Sequence, residues 1–264
     1  MHILFVGDVH GKPGRRILKE RLPRLRSRFE ANLVIVNGEN AAGGAGISAD
    51  VAQELLASGA DVITGGNHTW HHRDAFELLD AETRIVRPLN YPAGTPGRGS
   101  AVVAAARNTT RVAVLNAQGR VFMPVPIDDP FRILRAEVDR LREQTPVIVV
   151  DMHAEATSEK VALGWYLDGK VSAVIGTHTH VQTADERVLP EGTAYITDVG
   201  MTGPLDGVLG MDRERIIERF LTALPVRFEV AAGPAQLNAV ALDIDEDSGR
   251  ARSIVRIRET DDAD

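Results

Sequence analysis

The chain contains no cysteine. This absence excludes disulfide bonds, thiolate zinc sites, iron–sulfur clusters and a cysteine nucleophile, so any metal must be held by His, Asp, Glu or Asn. The sequence also lacks an apolar run of the roughly 18–20 residues that a membrane span needs. Its first residues have no signal-peptide pattern. We therefore expect a cytoplasmic protein that does not bind a membrane.

Positive charge is in deficit, with 30 Lys and Arg against 37 Asp and Glu and a formal net charge of −7. Proteins that bind nucleic acid through bulk charge are usually basic, so we expect no such binding, although a local positive site remains compatible. A length of 264 residues with 44% hydrophobic residues is ordinary for a globular protein. We expect a single domain over residues 1–258, followed by a frayed acidic tail at 259–264.

Strand and helix patterns alternate along much of the chain. Four amphipathic segments predict helices at Pro13–Phe29, Ser48–Ala57, Asp74–Leu79 and Glu159–Leu167. Short runs rich in β-branched residues predict strands that are buried on both faces. These runs are Ile3–Val6, Leu33–Val36, Val62–Thr64, Val147–Val150 and Val171–Ile175. The alternation predicts βαβ units and an α/β fold with a mainly parallel sheet.

Other segments favour antiparallel pairing. Ala101–Ala105 and Val112–Leu115 flank a predicted turn at Asn108, Thr109 and Thr110. Three further strands are predicted near the C-terminus, at Val226–Val230, Leu237–Ile244 and Ser253–Ile257. We therefore expect a second sheet, or a mixed edge, packed on the first.

Seven of the eight histidines follow the carboxyl end of a predicted strand, and His2 alone opens one. Acidic and amide side chains occupy the same positions. Because the carboxyl ends of parallel strands meet at one edge of a sheet, where ligands bind, five loops should bring these side chains together. The candidates are Asp8, His10, Glu39, Asn40, Asn67, His68, Asp151, His153, His178 and His180.

Carboxylate and imidazole donors without sulfur suit Mn, Fe, Zn or Ni. There are more donors than one ion needs, which favours two ions that share a bridging carboxylate. Two ions about 3.5–4 Å apart lower the pKa of a shared water and neutralise phosphoryl oxygens, so the cluster predicts phosphoester hydrolysis. Asn67 fits ligation better than a turn cap, whereas Asn40 is compatible with both. Asp151 either orients a ligating imidazole or simply ends its strand.

Three rival motifs are weaker. The segment Gly44–Ala49 fits the dinucleotide pattern G-x-G-x-x-A, but it begins seven residues after Asn37, and no acid follows the next strand. Gly7–Lys12 is one residue short of a phosphate-binding loop, and no G-x-S-x-G motif of a serine hydrolase is present. A non-catalytic metal- or nucleotide-binding regulator stays open, although a pure binder needs no positioned acid such as His68.

The motifs resemble those of the calcineurin-like metallophosphoesterases, which carry G-D-x-H, G-D-x-x-D, G-N-H-[DE], an isolated His and G-H-x-H. The departures at Glu39, Thr69 and Thr177 are characteristic of one branch, the YmdB-like bacterial phosphodiesterases. That branch has an aliphatic residue in place of His10, so the resemblance leaves the role of His10 open. The similarity to the branch extends over almost the whole chain, notably at residues 36–42, 64–70, 87–92, 151–160 and 197–204.

The resemblance implies a four-layer α/β/β/α sandwich with mixed sheets and a binuclear centre. One ion, iron or manganese with zinc or nickel as alternatives, would be held by Asp8, Glu39, Asn40 and His180. The second would be held by Glu39, Asn67, His153 and His178.

In the same resemblance Glu39 bridges the ions and His68 is the proton donor. The activity implied is hydrolysis of 2′,3′-cyclic nucleotides to 3′-nucleotides by a metal-bridging hydroxide. The substrate would be a small phosphodiester or an RNA end. A phosphomonoesterase on the same centre stays open, as does a homo-oligomer.

Overall fold

The computed structural model describes residues 1–106 and 110–261. The strands are β1 (His2–Val6), β2 (Asp8–Val9), β3 (Leu33–Asn37), β4 (Val62–Thr64), β5 (Ile85–Val86), β6 (Ser100–Ala104), β7 (Arg111–Gln118), β8 (Ile148–His153), β9 (Ala173–Thr177), β10 (Arg187–Val188), β11 (Ala194–Ile196), β12 (Met201–Pro204), β13 (Ala235–Ile244) and β14 (Ala251–Thr260). The helices are α1 (Gly11–Arg28), α2 (Ala49–Ala57), α3 (Ala75–Ala81), α4 (Pro130–Leu141), α5 (Thr157–Tyr166) and α6 (Arg213–Thr222).

The strands form two mixed sheets. The first has the order β2-β12-β13-β1-β3-β4-β5, with β14 also paired to β13. In it β1, β3, β4 and β5 are parallel, whereas β13 is antiparallel to its neighbours. The second has the order β10-β11-β9-β8-β7-β6, with β7, β8, β9 and β11 parallel and both edge strands antiparallel. Each sheet thus has a parallel centre, and helices supply the crossovers except that from β9 to β11, which runs through β10.

The apolar core consists of three layers. Phe5 and Ile35 of the first sheet share a buried cluster with Val114 and Val149 of the second, so the two sheets pack face to face. Helices α1, α2 and α3 cover the outer face of the first sheet, and α4 and α5 cover that of the second. The arrangement is α/β/β/α, which confirms the expected four-layer fold.

The five predicted strands and four predicted helices all form, with ends that differ by at most three residues. The hydroxyl of Ser48 accepts a hydrogen bond from the Val51 backbone N–H, which makes it the N-cap of α2. Strands β6 and β7 pair antiparallel as expected. In the turn predicted between them, Asn108 and Thr109 lie outside the described residues.

Two expectations need correction. Val226–Val230 is not a strand: the segment follows α6, is mostly exposed, and makes a single bridge between Val230 and Met211. The tail also begins later than expected, because Glu259 and Thr260 complete β14 and Asp261 pairs with Arg16 at 2.6 Å. Residues 262–264 lie outside the described part, and the single domain stays a prediction. Among the helices described, none has the length and apolarity to cross a membrane.

Candidate metal centre

The predicted donors converge, but from two facing sheets instead of one open sheet. Asp8, Glu39 and Asn67 follow β1, β3 and β4 of the first sheet. His153 ends β8 and His178 follows β9 of the second sheet. The carboxyl ends of both parallel sets therefore meet at one place, as the positions of the histidines predicted.

One half of the cluster contains Asp8, Asn40 and His180. The Nε2 atom of His180 lies 3.0 Å from Asp8 Oδ2, and its Nδ1–H donates to the carbonyl oxygen of Leu209 at 3.0 Å. Asn40 donates through Nδ2 to both Asp8 oxygens at 3.1 Å. Burial raises the pKa of the Asp8 carboxyl above its ordinary value.

The other half contains Glu39, Asn67, His153 and His178. The Nε2 atom of His153 lies 3.1 Å from Glu39 Oε1, 3.0 Å from Asn67 Oδ1 and 3.0 Å from His178 Nδ1. One potential ligand atom from each of Glu39, His153 and His178 lies within 4.8 Å of the others. Glu39 joins the two halves, since its Oε1 also accepts from Asn40 at 2.9 Å.

Glu39 remains a carboxylate despite complete burial. Burial by itself raises its pKa, but the nearby imidazoles of His153, His68 and His178 outweigh this effect and hold the pKa below its ordinary value. A buried negative charge between two groups of donors is therefore a stable feature of the site.

A chain of hydrogen bonds orients His153. Its Nδ1–H donates to the hydroxyl of Thr177 at 2.9 Å, and that hydroxyl donates to Asp151 Oδ1 at 2.7 Å. Asp151 is fully buried and also accepts from Asn37 and Thr64. With Nδ1 engaged in this way, Nε2 is the ring nitrogen that faces the cluster. Asp151 thus orients a histidine, through a threonine that sequence reasoning had noted only as a departure from a motif.

Glycine is required at position 66 by close approach. A Cβ at Gly66 would lie 2.0 Å from Glu39 Oε2 and 2.4 Å from His153 Nε2. Any side chain there would displace Glu39 and His153, whose facing atoms lie 3.1 Å apart. The glycine of the G-N-H motif therefore keeps space open for the donors.

The loop that carries His178 and His180 has a strained backbone, with φ of 93° and 65° at these residues. Asp198 accepts hydrogen bonds from the backbone N–H and the hydroxyl of Thr179 between them, at 3.0 and 2.6 Å. Lys160 is fully buried and pairs with Asp198 at 2.8 Å. Sequence reasoning missed this pair, although Asp198 follows the carboxyl end of β11, the same signal that identified the other acids.

His68 and His10 both line a cavity of about 440 Å³ at the cluster. The His68 side chain is 42% exposed, and its Nδ1 lies 2.8 Å from Asn40 Oδ1. His10 is buried, neither ring nitrogen has a partner among the described residues, and its ring meets the edge of His180 at 5.6 Å. Burial and the nearby His180 lower the pKa of His10 to about 3, so it is neutral near pH 7.

The donor chemistry fits a cation. His153 turns Nε2 toward the Glu39 carboxylate and the Asn67 amide oxygen. Burial lowers the pKa of the His153 ring, but the Glu39 carboxylate outweighs this effect and raises the pKa above its ordinary value. His178 contacts Glu155 through Nε2 at 3.2 Å, which leaves Nδ1 for the same centre. Because a carboxylate, an amide oxygen and two ring nitrogens face one another in this buried site, the site favours a positive charge, which either a proton on His153 Nε2 or a bound cation supplies. The structure therefore has a possible metal site at this point.

Comparisons with known proteins identify relatives of this chain. The sequence model of the YmdB-like protein family matches residues 4–257. A protein of Bacillus subtilis (strain 168) named 2′,3′-cyclic-nucleotide 2′-phosphodiesterase is 55% identical over 262 residues, which cover 99% of this chain and 98% of the relative.

Two crystal structures are also similar over nearly their whole length. A hypothetical protein from Thermus thermophilus is 43% identical with a TM-score of 0.91, covering 98% of this chain and 99% of that one. A Mycoplasma pneumoniae protein described as a novel phosphatase is 38% identical with a TM-score of 0.92, covering 98% and 93%. The fold and the sequence thus lead to the same group of proteins.

Proposed function

Because the chain belongs to the YmdB-like protein family, we propose that it is a metal-dependent phosphodiesterase that converts 2′,3′-cyclic nucleotides to 3′-nucleotides. The 55% identity to the Bacillus subtilis 2′,3′-cyclic-nucleotide 2′-phosphodiesterase supports this substrate class. The observation that carries the reaction type is the convergence of two buried carboxylates, Asp8 and Glu39, with imidazoles at a cavity lined by His68.

Two ions are proposed, with iron or manganese preferred. Asp8, Glu39, Asn40 and His180 would hold one, and Glu39, Asn67, His153 and His178 the other. Bound there, such ions lower the pKa of water and neutralise phosphoryl oxygens. Asn40 turns its Nδ2 toward the carboxylates, so it serves a cation only after its amide rotates to present Oδ1.

His68 would supply the proton that hydrolysis requires. The reaction breaks the P–O2′ bond, adds a water oxygen to phosphorus and places a proton on the departing 2′ oxygen. In this structure Oδ1 of Asn40 lies 2.8 Å from Nδ1 of His68, and Nε2 has no partner among the described residues. After the amide rotation that a cation requires, Nδ2 of Asn40 would donate to Nδ1 instead, which would leave the His68 proton on Nε2. The ring is thus oriented with one nitrogen available to a substrate in the cavity.

His68→Ala tests the proton-donor role. We expect the variant to retain its metals and to lose about 10²–10⁴-fold in kcat on a substrate with an alkoxide leaving group, as loss of general-acid catalysis predicts. The loss should be much smaller on bis(p-nitrophenyl) phosphate, because p-nitrophenolate leaves without a proton. Steady-state kinetics on both substrates, with metal content measured in parallel, provide the comparison.

His2→Ala is the matched control, because His2 is a partly exposed imidazole at the start of β1 and does not line the cavity. It should behave like the wild type on both substrates. If His68→Ala lowers kcat equally on both substrates, His68 is not the general acid.

A phosphomonoesterase on the same centre is the second candidate, favoured by the description of the Mycoplasma pneumoniae structure as a phosphatase. The two activities are separated by relative turnover of bis(p-nitrophenyl) phosphate and p-nitrophenyl phosphate. We expect the diester to be the better substrate.

A further inference from the structure

A second groove adjoins the metal cluster at His180. It has a volume of about 580 Å³, within the range of small-molecule sites, and β13 and β14 form one of its walls. Among the described residues, its only charged side chains apart from His180 are Arg256 and Arg258, and no carboxylate lines it. On a chain of net charge −7, this is a local positive site next to the proposed reaction centre.

The two arginines differ in whether an acidic side chain already compensates their charge. Arg256 pairs with Glu186 at 2.7 Å, so its charge is already compensated. Arg258 is exposed, and it forms no ion pair or hydrogen bond with any residue in 1–106 or 110–261. Register places Arg258 opposite Asn238 and Arg256 opposite Val240, so both arginines point to the same face of the sheet. Arg258 therefore presents an uncompensated guanidinium to the groove.

The remaining lining suits a nucleoside. Val181 and Leu209 are 62% and 49% exposed, which leaves apolar surface against which a base can pack. Asn238 is 2% exposed and donates through Nδ2 to the Met201 carbonyl oxygen, while its Oδ1 has no donor among the described residues. Gln236 adds a further amide to the lining. Apolar walls, free amide groups and one unpaired cation are what a nucleotide requires.

We propose that this groove binds the nucleotide on the 5′ side of the terminal, cyclic-phosphate-bearing one, with the phosphate that joins the two nucleotides on Arg258, so that the preferred substrate is an RNA 3′ end carrying a 2′,3′-cyclic phosphate. The inference rests on the proposed function and narrows its substrate class. A free cyclic mononucleotide lacks the second phosphate and leaves the groove unused. Recognition of one extra nucleotide by a local cation is compatible with the absence of a bulk basic surface.

The test compares 2′,3′-cyclic AMP with an adenosine dinucleotide that ends in a 2′,3′-cyclic phosphate. For the wild type we expect kcat/KM to be at least about tenfold higher for the dinucleotide, as one charge-assisted phosphate contact predicts. Arg258→Gln should lower the ratio of the two kcat/KM values by about tenfold, the contribution of the lost phosphate contact. It should also reduce by about 0.7 the slope of log kcat/KM against log salt for the dinucleotide, as expected for one lost phosphate contact on a single strand.

Arg252→Gln is the matched control, because Arg252 is an exposed arginine of the same strand that pairs with Asp245 away from the groove. It should keep the wild-type ratio and salt slope. A tetranucleotide with the same cyclic end should be used as well as the dinucleotide, and its rejection would contradict an RNA end.

Failure of the groove and failure of the proposed function are distinguishable. If the wild type hydrolyses both substrates equally well, the proposal that the groove binds a second nucleotide is wrong, whereas the proposed phosphodiesterase function is still supported. If neither substrate is hydrolysed, the proposed function is wrong. Calorimetry with the 3′-phosphorylated dinucleotide then tests separately whether the groove binds a second nucleotide. Binding weakened by Arg258→Gln but not by Arg252→Gln would support it, and equal binding by all three proteins would overturn it.

Discussion

Glu39→Gln is expected to remove the bound metal almost completely and to abolish hydrolysis. Glu39 is fully buried and its Oε1 contacts both halves of the cluster, with Asn40 at 2.9 Å and His153 at 3.1 Å. Glutamine keeps the shape but removes the negative charge that would bridge two cations. Loss of an outer partner of a metal ligand typically costs about 10–100-fold in affinity or activity, and loss of the bridge should exceed that range. Elemental analysis of the purified variant measures the effect directly.

Glu155→Gln is the matched control for this experiment. Glu155 is an acid at the same cavity, 3.2 Å from His178 Nε2, but it is 49% exposed and lies outside the proposed ligand set. We expect it to retain metal and to lose at most about 10–100-fold. A Glu39→Gln protein that binds two equivalents of metal would contradict the bridging assignment, whatever its activity.

The parallel strands at the centre of the fold were predictable because their local composition reflects the burial that the sheet imposes on them. Runs such as Leu33–Val36 are apolar on both faces, and buried parallel strands need that composition. Once these strands are assigned, parallel topology requires their ends to share one edge, so Glu39 and His178 are brought together although 139 positions separate them along the chain.

What sequence reasoning missed depends on contacts that no local pattern encodes. The hydroxyl of Thr177 links His153 to Asp151, but its position alone shows only a break in a motif. Val226–Val230 has the β-branched composition of a strand, yet composition does not reveal whether a neighbouring strand is available. The sequence left the role of His10 open, and the structure shows its buried ring against the edge of His180, with no partner for either ring nitrogen among the described residues.

Among the variants considered, Lys160→Met should cause the largest decrease in the free energy of unfolding. Lys160 and Asp198 are both fully buried, 38 residues apart and paired at 2.8 Å. Methionine fills much of the same volume but leaves the Asp198 carboxylate buried without its cation. Breaking a buried pair in this way costs about 3–5 kcal/mol, which for a chain of this size lowers Tm by roughly 6–20 °C. Thermal unfolding in the presence of a chelator measures the change apart from any effect of bound metal.

Lys19→Met distinguishes loss of the ion pair from loss of a lysine. Lys19 is an exposed residue of α1, and its replacement should change stability by about 0.5 kcal/mol or less. Because Asp198 also holds Thr179 between His178 and His180, the Lys160 variant should bind metal more weakly even at temperatures where it is fully folded. A Lys160→Met protein with the Tm of the Lys19 variant would show that the buried pair does not stabilise the fold. Normal metal affinity in a destabilised Lys160→Met protein would show that the strained histidine loop is held by other contacts.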